Sequence, residues 1–191
     1  LTLASPQKIL DPCTSSAYNQ NMTIESYLNH KPNIDPQAWV HPQALVIGKV
    51  TIGANSSVWP RAIIRGDVQH IEIGKKCNIQ DGCIIHVTHD SPWNPGGFPT
   101  LLADHITVGH AAILHGCKIE DHCLIGIGST ILDGAHIEAE TLIGANTLVT
   151  AGQKLSGKHL WLGQPAPKII ALTTEELKFL HYSAEPYAKI K

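Results

Sequence analysis

The chain has 191 residues, 43% apolar and 16% charged, with 14 Lys+Arg against 16 Asp+Glu. That composition fits one medium-sized folded domain and excludes disorder, a collagen-like chain and an Arg-rich nucleic-acid surface; no run approaches the roughly 18 uninterrupted apolar residues of a membrane span. Five cysteines without a recognisable signal peptide point to a reducing compartment, and so to the cytoplasm.

Residues 1–21 show neither helical nor strand periodicity and read as a leader or tag, with Met22 as a natural start. From 22 to 172 an aliphatic residue recurs at a step of six. Val40, Val46, Ile52, Val58 and Ile64 lead to Ile73, Ile79 and Ile85, and the step resumes as Ile113, Ile119, Ile125, Ile131, Ile137, Ile143, Val149 and Leu155. This is a hexapeptide solenoid, an all-β parallel β-helix with three faces, in which three hexads, about 18 residues, complete one coil.

Cys77, Cys83, Cys117 and Cys123 stand four positions after a repeat aliphatic, a slot that Ala44, Ser56, Ala62, Ser129 and Ala135 hold elsewhere. A position shared by Ala, Ser and Cys asks for a small side chain in a tight corner, so these cysteines are read as small hydrophobes rather than metal ligands or disulfides. Cys13 lies in the leader.

The repeat breaks twice. Three extra residues enter at 66–72, and residues 90–104 form a Pro/Gly-rich excursion long enough to imply a task. After Leu155 the pattern fades into an extended exit through residues 160–170. The last segment, 173–191, predicts a helix over 174–190, with Thr173 and Glu176 as a capping box, Leu177, Leu180 and Tyr182 on the apolar face, and Pro186 as a kink or end. Such a helix packs on the flank of the solenoid or on a neighbouring subunit.

Twelve histidines are many for this length. His30, His41, His105, His122, His136, His159 and His181 read as ordinary turn residues. His110 and His115 each follow a repeat aliphatic by two, Val108 and Ile113, and so face outward a third of a turn apart, unable to grip one ion in one chain. His86 precedes His115 by 29 positions; with about 11 of those in the excursion, one coil of 18 remains. The two rings then stack about 4.8 Å apart, which suits two nitrogens on one zinc. A neighbour's His110 completes the set in a three-fold assembly. Three neutral imidazoles with an open fourth position is the pattern of a catalytic zinc, whose water loses a proton near neutral pH. His89 is placed as an outer hydrogen-bonding or proton-relay group.

These residues lie in stretches that carry a resemblance. Arg65–Asp67 (RGD), 78–82 (NIQDG), 86–90 (HVTHD) and 108–117 (VGHAAILHGC), all within a hexapeptide repeat, resemble the gamma-class carbonic anhydrases and their bacterial relatives over about residues 22–188. The resemblance implies a left-handed coil, a homotrimer, a C-terminal helix against the prism, and Zn²⁺, or Fe²⁺ or Co²⁺, between subunits. It implies hydration of CO2 to bicarbonate by a metal-bound hydroxide. His86 and His115 match the ligands of one subunit and His110 the neighbour's; Arg65 and Asp67 match an intersubunit salt-bridge pair, Gln80 the amide that orients hydroxide, and Tyr182 a tyrosine near the pocket. No nucleic acid or membrane enters this reading.

The chain departs from the best-known active members where they carry two glutamates tied to proton transfer. Val68 follows the Arg-x-Asp pair, and the loop offers Asp90 but no glutamate, which leaves His89, Asp90 and His70 to move protons. Two other readings fit the same features: a metal-dependent thioesterase or acyl-CoA-processing protein, and a metal-stabilised trimeric scaffold without catalysis.

Overall fold

The computed structural model describes residues 23–189. The expectations for the leader, Cys13 and Met22 lie outside the described residues. The chain coils as a parallel β-solenoid with a helical C-terminal segment.

The first face stacks Trp39–Val40, Ser57–Val58, Asn78–Ile79, Thr107–Val108, Leu124–Ile125, Leu142–Ile143 and His159–Trp161. The second carries Ile84–His86, Ile113–His115, Thr130–Ile131 and Leu148–Val149, and the third Thr100–Leu102, Lys118–Ile119, His136–Ile137 and Lys154–Leu155. Two long strands, Leu45–Ile52 and Ile63–Ile73, bend around the corner between the second and third faces and join them into one sheet. Between these strands the register passes from Gly48↔Gly66 to Val50↔Ile71, which accommodates the three extra residues as a bulge.

One aliphatic side chain per face points inward, and these side chains make up most of the prism's core. Val46, Ile52, Ile64, Ile79, Ile85, Val108, Leu114, Ile119, Ile125, Ile131, Ile137, Ile143 and Leu155 are all buried. Each such side chain contributes about 1.5–3 kcal/mol by leaving water. The expected frame slips at one point: Leu114 is 0% exposed whereas Ile113 is 37% exposed and points outward. The next inward residue after Leu114 is Ile119, so this hexad is one residue short. His115 still faces outward, because it follows an inward residue as His86 follows Ile85.

The small slot is a buried corner as expected. Ala44, Ser56, Ala62, Ala112, Ser129 and Ala135 share it with the four cysteines, which are free. Burial pushes the thiols of Cys77, Cys117 and Cys123 up to about 12 and that of Cys83 up to about 11, so each rests as a neutral thiol at neutral pH.

The excursion is shorter than its composition suggests. Backbone bonds between Thr88 and Phe98 close it at the base, and the third face resumes at Thr100–Leu102, inside the range read as loop. The exit after Leu155 is also later than expected: Trp161 still takes an inward position, and Lys168–Ala171 then folds back antiparallel on His159–Trp161.

Helix α1 spans Thr174–Ser183 with the expected capping box at Thr173 and Glu176, and α2 spans Glu185–Lys189. The break at Ala184 precedes Pro186, whose ring cannot follow a continuous helix. The two helices lie along the flank of the first face. Leu180, Ser183 and Ala184 are buried, the Tyr187 ring meets Trp59 edge-on at 5.8 Å, and Glu185 pairs with Lys76 at 2.9 Å. Tyr182, expected on the apolar face, is 62% exposed. Among the described residues no helix is long and apolar enough to cross a membrane.

Candidate metal centre

Strands Ile84–His86 and Ile113–His115 are neighbours in the second face, paired Ile84↔Ile113, Ile85↔Leu114 and His86↔His115. The 29-residue spacing is therefore one coil plus the excursion. Their rings lie 5.1 Å apart at 60°, with His86 Nδ1 facing His115 Nε2 at 3.1 Å.

The outer nitrogens are each engaged by a carboxylate. His86 Nε2 donates to Asp67 Oδ1 at 2.9 Å, and His115 Nδ1 donates to Asp133 Oδ1 at 2.6 Å. Two imidazoles that both donate outward turn their inner lone pairs toward each other, an arrangement that is repulsive unless a cation lies between them. A tetrahedral ion with bonds of about 2.0–2.1 Å separates two nitrogens by about 3.3 Å. The donor set fits a divalent metal on that count. Burial holds the His86 imidazole below its ordinary range, with Arg65 and His115 adding to the effect and Asp67 opposing it, so at neutral pH it is the neutral form a metal requires.

Asp67 sits two residues beyond Arg65 on one strand, so both side chains emerge on one face and pair directly. Burial would raise the Asp67 carboxyl, but bonds from His86 and the Val68 N–H, with the Arg65 charge, together hold it below the usual range. Arg65 thus meets its acidic partner within the chain.

The remaining expected residues lie elsewhere. His110 occupies the turn between the first and second faces, half exposed, 3.0 Å from Asp81 in the coil below. Gln80 is buried on the first face, donating to Asn78 Oδ1 at 3.1 Å; Asn78 in turn donates to Thr107 Oγ1 at 2.8 Å, which lies 3.3 Å from Ser183 of α1. Gln80 and Tyr182 line one apolar groove of about 680 Å³ between that face and the helices, with Leu124, Ile127, Leu142 and Phe179. His89 is exposed in the loop. Asp90 accepts from the Gly96 N–H at 2.7 Å and so caps its own loop, while His70 is bonded to its neighbour Gln69.

One chain therefore carries these residues in two separate groups: His86, His115, Arg65 and Asp67 together, and His110, Gln80 and Tyr182 at the first face, its corner and the helix against it. Among the described residues no three His, Cys, Asp or Glu side chains are placed to hold one ion together. Sequence reasoning missed Asp133, although it lies 18 residues, one coil, beyond His115. It also missed the assembly of His105, His122 and His181, whose rings stack at 4.6 and 4.0 Å beside α1.

Residues 116–151 match the family described as "Bacterial transferase hexapeptide (six repeats)". Protein YrdA of Escherichia coli is 42% identical over 168 residues, 88% of this chain and 91% of its own length. The mitochondrial gamma carbonic anhydrase 1 of Arabidopsis thaliana is 37% identical over 174 residues, 90% of this chain but 62% of that longer protein. Among solved structures, a hexapeptide transferase family protein from Anaplasma phagocytophilum superposes with a TM-score of 0.81 at 33% identity, over 87% of this chain and 95% of that one. With its coil, its hexads and these relatives, the chain belongs to the hexapeptide-repeat family that includes proteins named gamma carbonic anhydrase.

Proposed function

We propose that this protein is a metal-dependent hydro-lyase that hydrates CO2 to bicarbonate at sites shared between the subunits of a homotrimer. The observation that carries the reading is the His86–His115 pair, two ring nitrogens 3.1 Å apart with carboxylates behind both rings. The relative named gamma carbonic anhydrase supports the choice of reaction. Zn²⁺ suits three imidazoles, with Fe²⁺ or Co²⁺ as alternatives. Such an ion supplies a water molecule that gives up its proton near neutral pH.

The chain's own residues do the rest. His86 and His115 bind from one subunit and His110 from the next, because within one chain His110 turns away at the corner. Asp67 orients His86 and is itself fixed by Arg65, whose planar guanidinium suits that task. Gln80, buried beside the groove, orients the nucleophile by its amide, and Tyr182 borders the same pocket. His89 in the loop takes up protons, since Asp90 is spent on the loop's own turn.

Exposed apolar surface supports this assembly. Ile63, Ile84 and Ile113 are aligned across neighbouring strands of the second face, and each is more than a third exposed beside the histidine pair. Ile127 and Phe179, at the groove of the first face, are more than half exposed. Two different apolar patches on two faces make a head-to-tail contact, which closes as a ring when the rotation is three-fold.

The test is elemental analysis with stopped-flow CO2 hydration on wild type and His110→Ala. About one metal per chain, with hydration that vanishes in the variant, is the expected result. Metal without hydration overturns the reaction, and no metal in protein supplied with Zn²⁺ and Fe²⁺ overturns the histidine site. The groove favours one second reading, thioester hydrolysis at the same centre with the acyl chain in the cleft; turnover of an acyl-CoA in place of CO2 would select it.

A further inference from the structure

We infer that Asp133, held in place by Thr88, is a positioning residue that fixes the proton of His115 on Nδ1, and that the 87–99 excursion is built to hold that carboxylate. The inference rests on the metal-centre reading and names the residues that give one ligand its orientation.

The carboxylate has no freedom left. Its Oδ1 accepts from His115 Nδ1 at 2.6 Å and its Oδ2 accepts from the Thr88 hydroxyl at 2.8 Å. Its turn is pinned from both sides, since Gly152 N–H donates to the Asp133 carbonyl at 2.8 Å and Gly134 N–H donates to the Gly116 carbonyl at 2.7 Å. Gly116, next to His115, has φ +57°, and a Cβ there would collide with both the Asp133 carboxylate and Phe98. The absence of that one atom lets the carboxylate come up to the ring.

Thr88 belongs to the loop. Its backbone pairs with Phe98, donating at 3.0 Å and accepting at 2.9 Å, and the Phe98 ring lies over Gly134, about where a side chain on the Asp133 turn would stand. The loop thus grips the Asp133–Gly134 turn by a hydroxyl on one side and a ring on the other. A histidine whose Nδ1–H is held by a carboxylate presents its Nε2 lone pair in a fixed direction, and outer partners of this kind typically change metal affinity 10–100-fold. Without Asp133 the ring populates both tautomers and swings about its side-chain bonds, so the lone pair no longer points steadily at the ion.

The experiment is Zn²⁺ affinity by chelator competition for wild type, Asp133→Asn, Asp133→Ala and Thr88→Val, with ¹⁵N NMR of the His115 imidazole in metal-free protein and thermal unfolding of each variant. Wild type should show the Nδ1–H tautomer. Asp133→Ala should bind Zn²⁺ about 10–100-fold more weakly with mixed tautomers and an intact fold, Asp133→Asn less so because its amide oxygen still accepts, and Thr88→Val least. Equal affinity in wild type and Asp133→Ala, or an unchanged tautomer, overturns this proposal while leaving the centre standing. Wild type that binds no Zn²⁺ overturns the centre itself. Should Asp133→Ala fail to fold, Asp133→Asn and Thr88→Val decide between these outcomes.

Discussion

Two groups of histidines lie on this solenoid, and they differ in how their rings meet. His86 and His115 meet edge to edge, nitrogen facing nitrogen at 3.1 Å, with Asp67 and Asp133 behind them. His105, His122 and His181 stack face to face, tilted by only 22° and 26°, so their in-plane lone pairs cannot converge on one point. The stack's one close carboxylate is Glu140, 2.6 Å from His181; Glu185 stands 3.7 Å from His105, and the Nδ1 atoms of His105 and His122 are buried without a hydrogen-bond partner. The first group turns two ring nitrogens toward each other. The second ties α1 to a corner of the coil. Proximity of imidazoles is therefore no guide to metal binding until the direction of their lone pairs is known.

The sharpest break between the groups is His86→Ala, which should abolish Zn²⁺ binding, whereas His105→Ala should leave it unchanged; equilibrium dialysis separates the two. Next in size is the anchoring of the pair. Leu114→Ala removes a fully buried side chain beside His115 and should cost about 2–5 kcal/mol in denaturant unfolding. Ile113→Ala should leave the fold of the chain intact and weaken self-association, read by analytical ultracentrifugation. Equal costs at the two positions would contradict the frame slip seen here. On the side of the stack, Thr173→Ala removes the cap of α1 and should cost about 1 kcal/mol, confined in hydrogen exchange to the helix that carries His181.

The smallest effect is on pH dependence. Burial, with the charges of His181 and His105, holds His122 below its ordinary 6.5, against the opposing pull of Asp121 and Glu140. The unfolded chain then binds the proton more readily than the folded one, so stability at this residue is full above 6.5 and falls as the pH drops below it. Glu140 works in a lower window. Its bond from His181 outweighs burial, with help from Lys158, and holds it below 4.5, so that contribution is kept above 4.5 and lost beneath it. His122→Phe keeps a ring in the stack and should remove the upper step of an acid titration of Tm while sparing the lower. An unchanged upper step would assign it elsewhere.

Much of this was legible in the chain because a solenoid is nearly one-dimensional. A six-residue step of aliphatics is enough to name the coil, the inward positions and the small corner, and a spacing of one coil plus a loop is enough to stack His86 on His115. The slip at Leu114 was hidden because Ile113 is equally aliphatic, and either could begin the frame. Asp133 was within reach, one coil from His115. Thr88 was not, because its contact depends on how the excursion closes. The histidine stack was beyond reach as well, since His181 comes back to His122 only through the path of the helix.

The sequence by itself determined the coil, most of its core and the stacking of His86 on His115, because each of these depends on residues a fixed number of repeats apart. Only the tertiary structure decided which nitrogen faces which, which carboxylate holds each ring, and that His110 and Gln80 lie apart from His86 and His115. Those outcomes turn on side-chain directions and on loops that close over several coils, and no local period encodes them.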